Sequence, residues 1–402
     1  MKCRACNTTI IHFLSLGNMP LANSFLREAQ LPEEKKYDLS LCFCPSCFLV
    51  QLTRTVPPEK LFRNYIYFSS TSRKFLDHCK ETAEYLTKKL HLNSSSLVLE
   101  IASNDGAQLQ YFKKLGIPVL GIDPAKNIAR VANKKGIKTI AEFFNLAYAK
   151  KLLKRHIQAD LVFGANVLAH VPKIIDFVKG VKLILKPAGT AIFEFPYLGG
   201  LFENKFDTIY HEHVFYYSLS ALRNLFITAG LQIYDVELTN MQGGSLRIFV
   251  SHPHTFPIHV HVTTMLVKEK NNGWTESKTY FLINTRIKKM KQKIITTFDR
   301  IKKQGKTIAA YSAPAKGNIL LNYFGIGSNY LEFIVDKSKA KQGLYSPGTH
   351  LFVHSPSMIY QKKPDYLFIL CWNIADEIMD EYQTYHTSGG KFIIPIPKFN
   401  IV

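Results

Sequence analysis

Residues 97–123 constrain the fold of this chain more than any other stretch. They begin with a short apolar run, residues 97–101, which is the pattern of a buried parallel strand that enters a tight turn. A segment with helical spacing follows and closes on Gly116, and a second apolar run then ends on the acidic Asp123. The stretch therefore predicts one β–α–β unit of a doubly wound sheet, with Gly106 in its first turn.

The turn also indicates which ligand the sheet could hold. Ligands bind at the carboxyl ends of such strands, and an acid after the second strand can hold two ribose hydroxyls. The turn has one glycine rather than the three of a pyrophosphate-binding turn, so a nucleoside without phosphates, such as S-adenosylmethionine (SAM), fits it better. A β–α–β unit without a ligand is the alternative. The predicted cofactor-binding residues are Glu100, Ser103, Asn104, Asp105, Gly106, Asp123, Phe144 and Asn166.

Charge and cysteine content bound the possible partners. The 402 residues carry a net charge of +21, which favours an anionic partner such as nucleic acid, an anionic membrane or a phosphorylated small molecule. Many of the lysines, however, lie in residues 286–306 at helical spacing, which is typical of a solvated helix face. No apolar run approaches the roughly 18–20 residues that span a bilayer. Because seven cysteines follow a start without a signal peptide, we expect a cytoplasmic protein with thiols or metal ligands rather than disulfides.

Two Cys-x-x-Cys pairs, Cys3/Cys6 and Cys44/Cys47, predict a zinc site. Each pair would supply two thiolates from a tight turn, and four thiolates complete a tetrahedral shell. The zinc is therefore expected to be structural. A redox-active pair is the rival interpretation, and Cys42 is a further thiol that could replace one ligand.

Residues 206–217 concentrate ionisable groups and tyrosines: Phe-Asp-Thr-Ile-Tyr-His-Glu-His-Val-Phe-Tyr-Tyr. Such groups are costly to bury without a purpose, so an acid–base site is one interpretation. Metal ligation by the two histidines, or a polar patch without a role, is the alternative. Four more histidines lie within residues 252–261, but two prolines interrupt them, so a solvent-exposed connection is predicted there.

After the basic helix, the alternation of strands and helices resumes and predicts a second α/β domain. The backbone amides that open its first helix, together with Lys316, would form an anion site. A scaffold domain without a ligand is the alternative. The residues that we predict to bind substrate here are Lys316, Asn318, Lys341, His350 and Trp372.

The chain resembles the SAM-dependent C-methyltransferases that build branched deoxysugars. The matching features are the cysteine pairs, Glu-Ile-x-Ser-Asn-Asp-Gly at residues 100–106, Asp-Thr-Ile-Tyr-His-Glu-His at 207–213 and Ile-Pro-Ile-Pro at 394–397. The resemblance covers essentially the whole chain in the same order.

This resemblance implies an α/β fold with a SAM-methyltransferase Rossmann-like domain, a small N-terminal zinc-binding module and a second C-terminal Rossmann-like α/β domain. The expected divisions are a zinc-binding module at 1–60, a methyltransferase domain at 61–250, a connecting segment with the basic helix at 251–304, and a nucleotide-sugar-binding domain at 305–402.

The resemblance further implies methylation at C3 of a nucleotide-linked 4-keto-deoxysugar. His213 would be the base, with Tyr210 and Glu212 beside it, and His170 would help to set its tautomer and basicity. A Tyr-x-Tyr-x-Ser-Ser segment would face the cofactor and sugar through Tyr65, Tyr67 and Ser70.

Two other classes stay open: a nucleic-acid methyltransferase with a zinc module, and a non-catalytic zinc-anchored nucleotide-sugar-binding protein. The first should carry an Asn/Asp-Pro-Pro-aromatic motif after the fourth strand, where residues 165–172 read Ala-Asn-Val-Leu-Ala-His-Val-Pro instead. The second would not need Tyr-His-Glu-His. We therefore expect a monomer that binds a nucleotide-sugar, and neither nucleic acid nor a membrane.

Overall fold

The computed structural model describes residues 1–63, 68–71, 73–239, 241 and 244–402, which form three sheets. The N-terminal sheet is antiparallel, and the cysteine pairs lie in turns at its end. Its elements are β1 (Ile11–Pro20), β2 (Lys36–Phe43) and β3 (Val50–Leu52), with α1 (Pro58–Phe62) after them.

The second sheet is doubly wound and is preceded by a long helix. This part of the chain contains α2 (Arg73–Lys89), β4 (Val98–Ile101), α3 (Leu109–Lys114), β5 (Val119–Ile122), α4 (Lys126–Lys134), β6 (Thr139–Ile140), α5 (Leu146–Leu153), β7 (Ala159–Ala165), α6 (Ile174–Ile184), β8 (Leu185–Pro196), α7 (Gly199–Phe202), the separate strand β9 (Phe215–Tyr216), α8 (Leu219–Thr228), β10 (Gln232–Thr239) and β11 (Ser245–Ser251). The order is β10-β11-β8-β7-β4-β5-β6, with β4 to β8 parallel. The chain progresses away from β4 in both directions, so a ligand crevice opens at the carboxyl ends of β4 and β7.

Strand β9 does not join this sheet. It pairs with β3, where Val50 lies opposite Tyr216 and Gln51 opposite Phe215. The ionisable segment that precedes β9 is therefore fastened to the N-terminal module.

The third sheet has the order β14-β13-β12-β15-β16-β17 and is parallel except for its last strand. Its elements, with the two helices that lead to it, are α9 (Val260–Asn271), α10 (Ser277–Lys303), β12 (Ile308–Tyr311), α11 (Ala315–Phe324), β13 (Ile334–Val335), β14 (Val353–His354), α12 (Met358–Lys362), β15 (Tyr366–Ile369), α13 (Ala375–Glu381), α14 (Gln383–Thr387), β16 (Lys391–Ile394) and β17 (Asn400–Ile401). These two doubly wound sheets and the N-terminal module confirm the predicted fold class.

Helix α10 holds the N-terminal module to the C-terminal domain. Its buried side chains recur every three or four residues, from Tyr280 to Ile301, and share one core with β1, β2 and β12. The lysines lie mainly on the opposite face, as the sequence predicted, but the helix begins nine residues earlier than expected, at Ser277. No helix in the described ranges is long and apolar enough to cross a membrane.

The turns after β4 and β12 each place a non-glycine residue in the left-handed backbone region directly after the strand: Ala102, with φ +59°, and Ser312, with φ +69°. An L-residue pays roughly 1–2 kcal/mol for this conformation, whereas glycine loses about 0.5–1 kcal/mol of extra backbone entropy on folding. We expect Ala102→Gly to raise the free energy of unfolding by about 0.5–1 kcal/mol, measured by urea denaturation.

The matched control for this substitution is Ala129→Gly, in the interior of α4, which should lower the free energy of unfolding by about 1 kcal/mol. A lower stability of the Ala102 variant would mean that the methyl group contributes more through packing than the left-handed backbone costs.

Candidate active site

The turn after β4 and the end of β5 meet through Asp123. Its Oδ2 accepts a hydrogen bond from the Asn104 backbone N–H at 2.9 Å, and its Oδ1 accepts one from Ala125 at 2.8 Å. Burial raises the pKa of this carboxyl group. The two backbone donors fix the carboxylate at the open edge of the sheet, where the sequence predicted a ribose contact.

Two buried polar atoms beside this turn have no hydrogen-bond partner among the described residues: Glu100 Oε2 and Ser103 Oγ. Burial, reinforced by the neighbouring carboxylates of Asp123 and Asp105, raises the pKa of Glu100 well above its ordinary value. Such a carboxyl group would gain most from a cationic ligand group. SAM carries an ammonium group and ribose hydroxyls, so the donor set of this crevice fits SAM.

Asp105 and Asn104 hold the preceding segment onto the turn. Asp105 accepts hydrogen bonds from the Ser70 hydroxyl and from Lys135 Nζ, the latter at 2.9 Å, and Asn104 Oδ1 accepts one from the Ser69 backbone N–H at 3.0 Å. The structure therefore places Ser70 at the cofactor turn. The predicted contacts Tyr65 and Tyr67 lie outside the described residues.

Of the other predicted cofactor residues, Gly106 and Asn166 lie after the ends of strands β4 and β7, whereas Phe144 lies in the core. A Cβ atom on Gly106, with φ +80°, would approach Ile137 to 3.0 Å, so the turn requires glycine. Asn166 follows β7, and its backbone N–H donates to the Glu194 carbonyl at 2.6 Å. Phe144, in contrast, is buried in the core with its ring centroid 5.3 Å from that of Phe177.

The cofactor contact predicted for Phe144 stays a prediction, and its neighbour Phe143 is the more exposed ring at this point of the chain. Phe143 is half-buried, and the Arg63 guanidinium lies 4.8 Å from its ring centroid. Adjacent residues of an extended segment point in opposite directions, so Phe143 and Phe144 face different surroundings.

Asp123 allows a direct test of the cofactor site. Asp123→Ala should weaken SAM binding by about 1.5–3 kcal/mol, the scale of a lost hydrogen bond to a charged group, as measured by calorimetry. Asp123→Asn should lose less, because its remaining oxygen still accepts a hydrogen bond. Asp160→Ala, at the opposite end of the sheet, is the control; equal losses in both alanine variants would mean that Asp123 only maintains the fold.

His213 lies at the centre of the ionisable segment, and its contacts define its tautomer. Its Nδ1 is 2.9 Å from the Thr208 carbonyl oxygen, which can only accept, so Nδ1 carries the hydrogen. Its Nε2 then accepts the Tyr210 hydroxyl at 2.7 Å. Burial, and the positive charges of His170 and Lys316 nearby, lower the pKa of His213 well below its ordinary value. The side chain is thus a neutral imidazole with Nε2 as its basic atom.

His170 and Glu212 extend the site toward the N-terminal module. His170 Nδ1 donates to the Glu212 carbonyl at 2.8 Å, and its ring centroid lies 5.0 Å from that of His213. Burial lowers the pKa of His170 to about 4. The Glu212 carboxylate accepts a hydrogen bond from Asn23 Nδ2 at 2.6 Å, and the Phe62 ring contacts His170 edge-on.

The C-terminal domain reaches the same segment through Lys316 and Trp372. Trp372 Nε1 donates to Asp207 Oδ2 at 2.6 Å, and Lys316 Nζ lies 4.6 Å from the Trp372 ring centroid and 3.2 Å from Asn373 Oδ1. Burial lowers the pKa of Lys316, although the Asp207 charge opposes this shift. The structure thus places one predicted substrate-binding lysine beside His213.

Three other residues predicted to bind substrate have structural partners instead. Asn318 is 1% exposed and donates to the Ala22 carbonyl at 2.8 Å. Lys341 Nζ is 3.2 Å from Asp336 Oδ2, and His350 Nε2 is 2.9 Å from Glu34 Oε2. These contacts join loops within the C-terminal domain or hold it to the N-terminal module, and substrate binding by Asn318, Lys341 and His350 stays a prediction.

Asn23 and Asp207 are the functional candidates that the sequence prediction missed. Asp207 stands inside the matched 207–213 motif, and Asn23 ends a stretch between the cysteine pairs that also resembles the family. The motif could have indicated Asp207. The contact between Asn23 and Glu212 joins residues 189 positions apart, which no local pattern reveals.

The four predicted cysteines cluster as a tetrahedral metal site requires. Their Sγ atoms all lie within 4.8 Å of one another, with Cys3 and Cys47 3.6 Å apart and Cys6 and Cys44 3.4 Å apart. Zinc–sulfur bonds of about 2.3 Å in a tetrahedron give sulfur separations of about 3.8 Å. The shortest contacts join different Cys-x-x-Cys pairs, which favours a metal site over two redox pairs, and Cys42 lies outside the cluster.

A second group that could hold a metal ion, Asp235 with His259 and His261, lies on the surface. Asp235 Oδ2 is already paired with Lys89 Nζ at 3.0 Å, and its Oδ1 is 3.0 Å from His261 Nδ1. The adjacent ammonium group opposes a cation there, so this group does not change the prediction of a solvent-exposed connection.

Three family models match the chain in succession: a zinc binding domain over residues 3–62, a methyltransferase domain over 72–236 and the C-methyltransferase C-terminal domain over 240–397. The C-methyltransferase NovU of Streptomyces niveus is 34% identical over 405 residues, covering 100% of this chain and 96% of NovU.

Solved structures match more weakly. A SAM-dependent methyltransferase of Clostridium acetobutylicum is 13% identical, with a TM-score of 0.37, over 44% of this chain and 92% of that chain. The magnesium protoporphyrin IX methyltransferase of Synechocystis with bound S-adenosylhomocysteine is 15% identical, with a TM-score of 0.35, over 44% and 83%. The likeness to NovU spans all three domains, whereas each of these covers less than half of the chain.

Proposed function

This chain belongs to the C-methyltransferase family, and we propose that it uses SAM to methylate C3 of a nucleotide-linked 4-keto-deoxysugar. The observation that carries this proposal is the Tyr210–His213 pair, a neutral imidazole whose basic Nε2 faces a phenol. Proton removal beside a ketone requires a base for the proton and, close to it, a hydrogen-bond donor for the oxygen.

The chemistry explains why the base does not act alone. A C3 proton is acidic only when the enolate oxygen that forms at C4 is stabilised, and an imidazole of ordinary pKa ~6.5 cannot remove the proton without that help. His213 Nε2 takes the C3 proton, while Tyr210 turns its hydroxyl from His213 to the ketone oxygen. The hydrogen bond from Nδ1 to Thr208 holds the ring in this tautomer throughout.

SAM, when bound, supplies an electrophilic methyl group. Glu100, Ser103 and Asp123 are the residues proposed to hold it, because the first two have unpartnered buried oxygens and the third is aimed by backbone donors. They lie at or just after the carboxyl ends of β4 and β5, and His170 follows β7 at the same edge of the sheet, which supports binding of the cofactor in this crevice.

The nucleotide part of the substrate is proposed to bind against Lys316 and Trp372. An ammonium group at the helix N-terminus attracts a diphosphate, and binding energy from that remote group can position C3. His170 and Glu212 are proposed to orient the loop around His213. Tyr65, Tyr67 and Ser70 are proposed to cover the cofactor and sugar. The four clustered cysteines are proposed to hold one structural zinc ion.

The proposal is tested with the purified chain, methyl-labelled SAM and a panel of nucleotide-linked 4-keto-deoxysugars. We expect labelled product in the sugar fraction, with NMR placing the new methyl group on C3. Label at an oxygen, or label only in parallel reactions with RNA or DNA, would contradict the proposal.

A further inference from the structure

The loop between β1 and β2 of the zinc-binding module enters the site of the other two domains. Asn23 in this loop donates its side-chain N–H to Glu212 Oε1 at 2.6 Å. Glu212 is 4% exposed, and its backbone carbonyl accepts the hydrogen of His170 Nδ1. One side chain of the module is therefore in contact with the segment that carries His213 and that accepts a hydrogen bond from His170.

The C-terminal domain holds the same loop from its other side. Asn318, on α11, donates to the carbonyl oxygen of Ala22, the residue before Asn23, at 2.8 Å. Ala22 is buried, and so is Asn318, so this hydrogen bond is shielded from water. Lys316, two residues earlier on the same helix, lies over the Trp372 ring, and Trp372 donates to Asp207 in the segment that carries His213.

We propose that Asn23 is a positioning residue for methyl transfer, which orients Glu212 and through it the His170–His213 pair, while Asn318 holds the Asn23 loop in register with Lys316. This inference rests on the proposed function. It gives the zinc-binding module a part in the reaction beyond anchoring the chain, since the metal orders the fold that presents Asn23.

Three variants separate this role from simple packing. Asn23→Ala removes the donor, and a lost hydrogen bond to a charged group corresponds to a decrease in kcat of about 10- to 100-fold. Asn23→Asp keeps the shape but sets a second carboxylate against Glu212, so it should lose more activity than Asn23→Ala. If Asn23 only fills space, the aspartate variant would be the less damaged of the two. Asn18→Ala, exposed on β1 of the same module, is the control and should retain wild-type kcat.

The coupling to Glu212 is measured by a double-mutant cycle. In a Glu212→Ala background, Asn23→Ala should lower kcat by less than threefold, because its partner is already absent. Zinc content, melting temperature and the SAM dissociation constant should remain those of the wild type in Asn23→Ala. If the two substitutions lower kcat independently, so that their effects multiply in the double variant, Asn23 does not act through Glu212.

Hydrogen–deuterium exchange keeps this test separate from the proposed reaction. Asn23→Ala should speed exchange in residues 206–217 and leave the cysteine turns unchanged, whether or not a keto-sugar is accepted. Faster exchange with a wild-type enzyme that methylates no nucleotide-sugar would refute the substrate and keep the positioning role. Unchanged exchange together with unchanged kcat would refute the positioning role alone.

Discussion

His213→Asn is expected to lower methyl transfer by about 10²- to 10⁴-fold, the usual contribution of general acid–base catalysis. Asparagine is close to imidazole in reach and can still donate to the Thr208 carbonyl, but its amide cannot take a proton at neutral pH. Binding of SAM should be unchanged, because His213 does not belong to the turn after β4 or to the end of β5. The measurements are kcat, the SAM dissociation constant and exchange of solvent deuterium into C3 with S-adenosylhomocysteine bound.

The exchange experiment isolates proton removal from methyl transfer. Deuterium should enter C3 in the wild type and not in His213→Asn. Tyr210→Phe is the companion variant: it keeps the ring against His213 but cannot stabilise an enolate oxygen, so both exchange and kcat should fall. Full exchange in His213→Asn would move the base to His170 or Glu212, and loss of SAM binding would make His213 a structural residue.

The pH dependence of kcat/KM follows from the same burial. The pKa of His213 is lowered, so its neutral, proton-accepting form persists below the ordinary histidine pKa of ~6.5. The acidic limb of the wild-type profile should therefore lie below about pH 6.5. Between pH 8 and that limb, protonation of His213 should not lower kcat/KM. A limb at or above that value would mean that the titrating group is another one.

Sequence alone could predict the parts of this site that are local in the chain. The strand, turn and acid at residues 97–123 obey short-range rules for doubly wound sheets, and two Cys-x-x-Cys turns suffice to suggest a tetrahedral cluster. Hydrophobic periodicity likewise predicted α10 and its solvent-exposed face. The prediction missed the first turns of this helix, because residues 277–285 carry few lysines to mark it.

The partners of three polar side chains could not be predicted in this way. Asn318, Lys341 and His350 each lie at a helix start or loop where an α/β sheet binds ligands. The sequence does not indicate that these side chains bind Ala22, Asp336 and Glu34, respectively, in the folded protein. These partners lie 296, 5 and 316 residues away, respectively. Packing between domains decides which polar groups at a sheet edge remain available to a ligand.

Loss of the zinc ion is expected to unfold the N-terminal module and to abolish activity with it. Structural zinc contributes about 10–16 kcal/mol of apparent binding energy at neutral pH, which exceeds the stability of most domains. Because β9 pairs with β3 and Asn23 contacts Glu212, disorder in the module reaches the His213 segment. Cys44→Ser should therefore lose the metal, lower the melting temperature and lose methyl transfer.

Cys42→Ser is the matched control for this zinc prediction, since Cys42 is buried one residue from β2's end but stands outside the four-sulfur cluster. Elemental analysis should give one zinc per chain in the wild type and in Cys42→Ser, and none in Cys44→Ser. Hydrogen–deuterium exchange should show faster exchange of β1 to β3 in the zinc-free variant before the sheet around β4 is affected, because one face of that sheet packs in a core without residues of the N-terminal module, although its other face shares a core with the cysteine turns. Wild-type melting and activity in a zinc-free Cys44→Ser protein would show that the metal neither folds the module nor supports the site, and zinc lost from Cys42→Ser would place that thiol among the ligands.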